Sequence, residues 1–189
     1  MAAPTLHRTF TVTEYERMIE TGILSENERV ELFGGELYRM SPIGARHVHA
    51  VNALNDLLWT MIGHAAIISV QNPIRLDDDS MPLPDLAALR RQNNTDTLPT
   101  PADVLLVIEV ADSSLAYDRG IKFPRYAAAG IAEAWLIDLA AEIVERHSEP
   151  RDGLYRQITL ARAGDTLTSA VFVELMIPIS AVFSIGEAS

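Results

Sequence analysis

Three side chains stand where a purely structural account of the sequence is weakest, and together they suit phosphodiester chemistry. Glu109 is the only charge inside the apolar run Val104–Val110, and burying an unpaired carboxylate is costly. Asp85 follows Pro84 at the mouth of a second apolar segment. Lys122 is the only lysine in the chain; the other basic residues are all arginine. A lone surviving lysine suggests a position that wants a compact ammonium and not a planar guanidinium. If the two strands are antiparallel neighbours, Asp85 and Glu109 lie side by side at one edge of a sheet. Two like charges repel there unless a cation, a proton or a lysine sits between them. Such a set could hold Mg²⁺ or Mn²⁺ through oxygen, leaving coordination positions for water and phosphate. The lysine would then orient or deprotonate the attacking water, or stabilise charge building on phosphorus. Lys122 is therefore expected to matter more for chemistry than for folding, and neutralising either acid is expected to leave the fold intact or firmer. The structural alternative is that Asp85 caps a turn and Glu109 pairs with Lys122 as a buried ion pair.

The elements that must position these groups are legible from periodicity. Residues 1–12 read as an arm, and Thr13-Glu14-Tyr15-Glu16 resembles a capping box that opens a short helix. Arg29–Met40 reads as two strands around Gly34-Gly35, a hairpin signal because glycine accepts positive φ. From Ala45 to Gly63 apolar residues recur every three or four positions, which predicts a long amphipathic helix. Ala66–Val70 and Pro84–Leu89 read as strands, and Val104–Val110 as a strand covered on both faces. A helix is expected between Tyr117 and Ala129, ended by Gly130; Pro124 in its interior implies that the regular part starts near Lys122 or that the helix is bent. Glu133–Asp138 supplies a fourth strand; Glu142–Arg146, Leu154–Leu160 and a segment around Val171–Leu175 suggest more. The order helix, strand, strand, strand, helix, strand is an α/β layer arrangement with helices on a mixed sheet.

The chain has 189 residues and no cysteine, which removes disulfides, thiolate nucleophiles and Cys-ligated zinc. Its length suits one domain, with the core at about 45–138, an N-terminal helix and hairpin at 13–40 and C-terminal strands at 142–183. No apolar run is long enough to cross a bilayer and the N-terminus does not read as a signal peptide, so a cytoplasmic protein is expected. The net charge of −11 argues against binding nucleic acid through a basic surface. It leaves open an enzyme that brings a carboxylate-bound metal to phosphate.

Pro84-Asp85 followed by Glu109-Val110-Ala111 in this frame resembles the PD-(D/E)XK nuclease superfamily. Its Uma-type, restriction-endonuclease-like branch is the closer likeness. That branch's hairpin is matched by Glu31-Leu32-Phe33-Gly34-Gly35-Glu36-Leu37, and its Met-Ser-Pro and helix-opening His by Met40-Ser41-Pro42 and His47. Pro84-Asp85-Leu86 and Glu109 to Ser114 match its two acidic segments. Asp118, Lys122, Tyr126, Gly130, Glu133 and Trp135 match its last motif. The superfamily's lysine usually stands two residues after the acid, where this chain has Ala111; the branch takes it from the next helix, at Lys122.

The resemblance implies a restriction-endonuclease-like core with an N-terminal helix and hairpin and a C-terminal β extension. It implies a Mg²⁺- or Mn²⁺-dependent endonuclease acting on DNA, with Asp85, Glu109 and Lys122 catalytic and Asp85 and Glu109 on the metal. Supporting roles are expected for Glu31 as a third carboxylate, His47 at metal or phosphate, Gln71 near the acids, and Tyr126 packing or orienting Lys122. His49 is expected to be packed or solvated, and Asp118 to cap the helix. A homodimer is expected by analogy with nucleases that cut both strands. The alternative is a catalytically silent accessory or protein-binding module. An arginine cluster beside the site, drawn from Arg46, Arg75, Arg90, Arg91, Arg119 and Arg125, would favour the nuclease.

Overall fold

The computed structural model describes residues 7–25, 28–91 and 96–183. The first helix, α1 (Val12–Glu20), starts two residues before the expected box, because Thr11 and not Thr13 is its cap. The Glu14 N–H donates to Thr11 Oγ1 at 3.2 Å, and the Thr11 N–H donates to the Glu14 carboxylate at 3.0 Å. The hairpin follows as β1 (Val30–Phe33) and β2 (Glu36–Arg39), antiparallel with Phe33 opposite Glu36. Gly34 and Gly35 have φ of +58° and +75°, as a two-residue turn of this type demands. A Cβ on Gly35 would lie 2.4 Å from that of Thr9, so the arm before α1 also needs glycine there.

The long helix is α2 (Ala45–Ile62), with Val51, Leu54, Leu58 and Ile62 buried along one face. Next come β3 (Ala66–Val70), β4 (Leu86–Arg90) and β5 (Val104–Ala111). The connection to β6 (Glu133–Asp138) runs through α3 (Leu115–Tyr117), a π-helical turn at Asp118–Lys122, and α4 (Phe123–Ala128). The regular helix α4 thus starts beside Lys122, one of the two outcomes expected of Pro124, and the segment before it reaches back to Leu115 instead of Tyr117. Pro124 has no N–H to give to the preceding turn, and the backbone widens just before it. β7 (Ile143–Arg151) and β8 (Leu154–Arg162) complete a six-stranded sheet ordered β3-β4-β5-β6-β7-β8. Only β5 and β6 are parallel, as a helical crossover allows; every other neighbouring pair is antiparallel.

Alternation along β5 sends Leu106, Ile108 and Val110 to a core under α2, and Val107 and Ala111 to a core under α4. Glu109 shares the second face. Its neighbours are therefore the hairpin and the π-helical turn, not α2.

The C-terminal extension differs from expectation. Val171–Leu175 is not a strand; the strands are β9 (Thr166–Thr168) and β10 (Met176–Pro178), followed by α5 (Ile179–Phe183). Phe172 and Leu175 cover the α2-side core from a turn. Glu133, fully buried, holds that turn in place. Its carboxylate accepts from Trp135 Nε1 at 2.8 Å, Ser169 Oγ at 2.6 Å and the Ala170 and Val171 amides at 3.0 and 3.1 Å. The Glu-x-Trp of the last motif is thus an anchor for the extension and lies outside the chemistry. Among the described residues no helix is long and apolar enough to cross a membrane.

Candidate functional site

Antiparallel pairing of β4 with β5 sets Leu86 opposite Ile108, which brings Asp85 alongside the end of β5. The Val110 N–H donates to Asp85 Oδ2 at 2.9 Å. The other carboxylate oxygen accepts from Gln71 Nε2 at 3.2 Å and meets His47 Nε2 at 3.0 Å. Gln71 reaches it because its backbone turns at φ +51° just past β3. His47 reaches it from the first turn of α2, and its Nδ1 is buried without a hydrogen-bond partner. Burial alone would raise Asp85, but His47, the Val110 N–H and the charge of Lys122 outweigh it and hold the carboxyl below its ordinary value.

Glu109 is 2% exposed and its Oε1 accepts from Tyr126 OH at 2.6 Å and from Lys122 Nζ at 3.2 Å. Tyr126 therefore orients Glu109 directly, and meets Lys122, the partner expected for it, through the same carboxylate oxygen. Lys122, also 2% exposed, lies 3.2 Å from Glu31 Oε1 and 3.9 Å from Asp118 Oδ1. Glu31 enters the site because an isolated bridge between Leu32 and Met81 pins the hairpin against the loop before β4. Its other oxygen accepts from the Leu83 N–H at 3.2 Å.

Asp118 does not cap the following helix with its side chain; its backbone N–H closes the end of α3 on the Leu115 carbonyl. It is buried, and accepts from Ser114 Oγ at 2.5 Å, one turn before the π-helical segment. Sequence reasoning missed it as a site residue; the signal was its four-residue spacing from Lys122, which a helical reading places on the same face. His49 is exposed, as expected of a solvated histidine.

Four buried carboxylates, Glu31, Asp85, Glu109 and Asp118, thus surround one ammonium. Burial pushes Glu109 well above its ordinary value of 4.5, and the charges of Asp118, Asp85 and Glu31 add to the rise; Lys122 offsets only part of it. The same carboxylates hold Lys122 well above its ordinary value against the cost of burial, so it stays protonated.

The donor set is all hard oxygen with surplus negative charge, which suits Mg²⁺ or Mn²⁺ and not a soft metal. Among the described residues, however, no three His, Asp or Glu side chains are grouped to hold a metal ion. Asp85 and Glu109 would supply two carboxylates, and the remaining positions would fall to water and phosphate.

The site opens into a cavity of about 200 Å³ between the hairpin, the N-terminus of α2 and the segment after β5. Of the arginines expected nearby, none lines it. Arg46 donates to the Leu139 carbonyl, Arg90 to Ala102 O, and Arg91 to His64 O. Arg75, Arg119 and Arg125 pair with Asp78, Glu145 and Asp79. The cavity's arginines are Arg29 and Arg39 of the hairpin.

The contrast between the two acids predicts opposite stability effects. Asp85 has a depressed value, so its charge adds stability above the ordinary 3.8, lost as pH falls through the folded value. Asp85→Asn strands donors that now share a carboxylate, and is expected to cost about 1–3 kcal/mol near neutral pH. Relief of carboxylate repulsion alone leads to the opposite expectation, a fold left intact or firmer. Urea melts at pH 7 and pH 3 check it: the deficit should shrink at the lower pH, and a variant as stable as wild type at pH 7 would contradict it.

The model of a family described as "Uma2: Putative restriction endonuclease" matches residues 12–180. Among solved structures, the chain is similar to "a putative nuclease belonging to DUF820" from Anabaena variabilis ATCC 29413, with a TM-score of 0.74 and 16% identity. The similarity covers 93% of this chain and 98% of that one. At that identity the likeness is one of fold, and the fold is restriction-endonuclease-like. No curated protein matches the chain.

Proposed function

The chain belongs to the Uma2 family of restriction-endonuclease-like proteins, and on that premise we propose that it is a Mg²⁺- or Mn²⁺-dependent endonuclease hydrolysing DNA phosphodiester bonds. The observation that carries the reading is the meeting of Asp85, Glu109 and Lys122 beside an open cavity. In this proposal Asp85 and Glu109 hold the cation. When bound, it would polarise the scissile phosphate and acidify an attacking water. Asp85 is pre-oriented by Val110 and Gln71, and Glu109 by Tyr126, so neither carboxylate must be ordered at the moment of reaction. Lys122 keeps its proton and so acts as a fixed positive charge near phosphorus, not as a base. His47 meets Asp85 Oδ1 through Nε2 and so helps to fix the carboxylate that would hold the cation. A homodimer, by analogy with nucleases that cut both strands, and a cytoplasmic location are part of the same proposal.

A second reading has its own support. Every Asp85 oxygen and Glu109 Oε1 already has a protein partner, as a silent accessory module with a closed ion-pair network would have. Calorimetric titration with Mn²⁺ separates the two. The nuclease reading expects saturable binding that Asp85→Asn weakens; heats no larger than dilution would leave the accessory module.

A further inference from the structure

The cavity carries an aromatic wall that hydrolysis itself does not use. Tyr38 on β2 and Tyr117 at the end of α3 both line it, with ring centroids 4.9 Å apart and planes inclined by 42°. Lys122 Nζ lies 5.8 Å from the Tyr117 ring centre, so the wall leads directly to the charged cluster. Among the described residues the buried Tyr117 hydroxyl has no hydrogen bond of good geometry and is turned towards Glu31, whereas Tyr38 OH donates to Glu36 at 2.7 Å. Met40 and Ile43 add apolar surface beside the rings.

The charges on the cavity are as telling. Only Arg29 and Arg39 of the cavity lining can meet phosphate besides Lys122, and the chain as a whole carries −11. Duplex DNA is held mainly by neutralising a run of phosphates on both strands. Two arginines on one hairpin cannot track a duplex. Base stacking on aromatic rings tolerates any sequence and adds to what a few basic groups supply, and it is the main resource left to this cavity.

We propose that the Tyr38–Tyr117 wall stacks a base of single-stranded DNA, with Arg29 and Arg39 on its flanking phosphates. The proposal rests on the nuclease reading for the identity of the ligand and deepens it by naming the substrate form. A strand bound this way presents the phosphodiester next to the stacked base to Asp85, Glu109 and Lys122, whereas a paired base cannot enter.

The test is fluorescence anisotropy with a labelled oligo-dT strand and with a duplex of equal length, in Ca²⁺. Wild type should bind the single strand at least about tenfold more tightly than the duplex. Tyr38→Ala should lower single-strand affinity by about tenfold or more, and Tyr38→Trp should keep it. Arg39→Ala should reduce the slope of log affinity against log salt by about one. Circular dichroism confirms that each variant is folded. Equal affinity for both forms, or Tyr38→Ala binding as wild type does, would overturn the proposal. Single-strand binding that depends on Tyr38 without any cleavage in Mn²⁺ would uphold the stacking wall and remove the nuclease reading alone.

Discussion

Glu109→Gln is expected to leave the protein folded, with a melting temperature close to that of wild type, while cutting Mn²⁺-dependent DNA cleavage by about a hundredfold or more. The fold tolerates the change because burial already favours an uncharged group at this position. The amide oxygen can still accept from Tyr126 OH and Lys122 Nζ, which now meet Glu109 Oε1 at 2.6 and 3.2 Å. What is lost is one of the two charges offered to a cation. The pH dependence gives this prediction a sign. A carboxyl raised in the folded state contributes stability below its ordinary value of 4.5, lost as pH rises through the folded value. The Gln variant has no such loss, so its stability relative to wild type should increase from pH 4 to pH 8. A variant that melts far below wild type at pH 8 would show that the Glu109 charge is needed to pair Lys122.

Lys122→Ala is expected to have the largest effect on stability. Only one ammonium stands among Glu31, Glu109 and Asp118, and it is almost wholly buried. Removing it leaves buried carboxylates without a counter-charge, a loss of about 3–5 kcal/mol. For a chain of this size that lowers the melting temperature by about 6–20 °C. The expectation from sequence is that Lys122 matters more for chemistry than for folding; its buried ion pairs add a weight in folding to the catalytic role proposed for it. The deficit should shrink in acid, where the carboxylates take up protons, and thermal melts at pH 7.5 and pH 4.5 measure it. A variant that melts with wild type at both values would mean the carboxylates find compensation elsewhere. Lys122→Arg restores charge but forces a wider group into a closed site, so partial recovery of stability without recovery of cleavage is expected.

The frame of the site was legible because its signals are local or involve adjacent strands. The unbroken Val104–Val110 run marked a strand covered on both faces, and one charge inside it marked Glu109. Antiparallel pairing with the strand after Pro84 then placed Asp85 beside it. The single lysine, expected across from them, arrives there. What escaped depends on tertiary packing. Glu31 stands in the site as the third carboxylate expected of it, but what puts it there is not local: Leu32 bridges to Met81 and turns that face of the hairpin inward. The widened turn before Pro124 was half visible: proline signals a disturbance, but not that the helix begins earlier at Leu115. The C-terminal extension was misread because Val171–Leu175 is apolar enough for a strand. It serves as a cap on the core instead, fastened by Glu133, a residue of the last motif. The fold is therefore an α/β restriction-endonuclease-like core whose C-terminal part ends in a hairpin and a helix rather than strands alone.

The most direct measurement is the cleavage of end-labelled single-stranded DNA by purified wild type and Glu109→Gln, in parallel, with Mn²⁺, Mg²⁺ or EDTA. The account predicts fragments from wild type with either metal, none in EDTA, and a rate from Glu109→Gln lower by about a hundredfold or more. Fragments that form equally fast with both proteins, or no fragments from wild type with either metal, would contradict it.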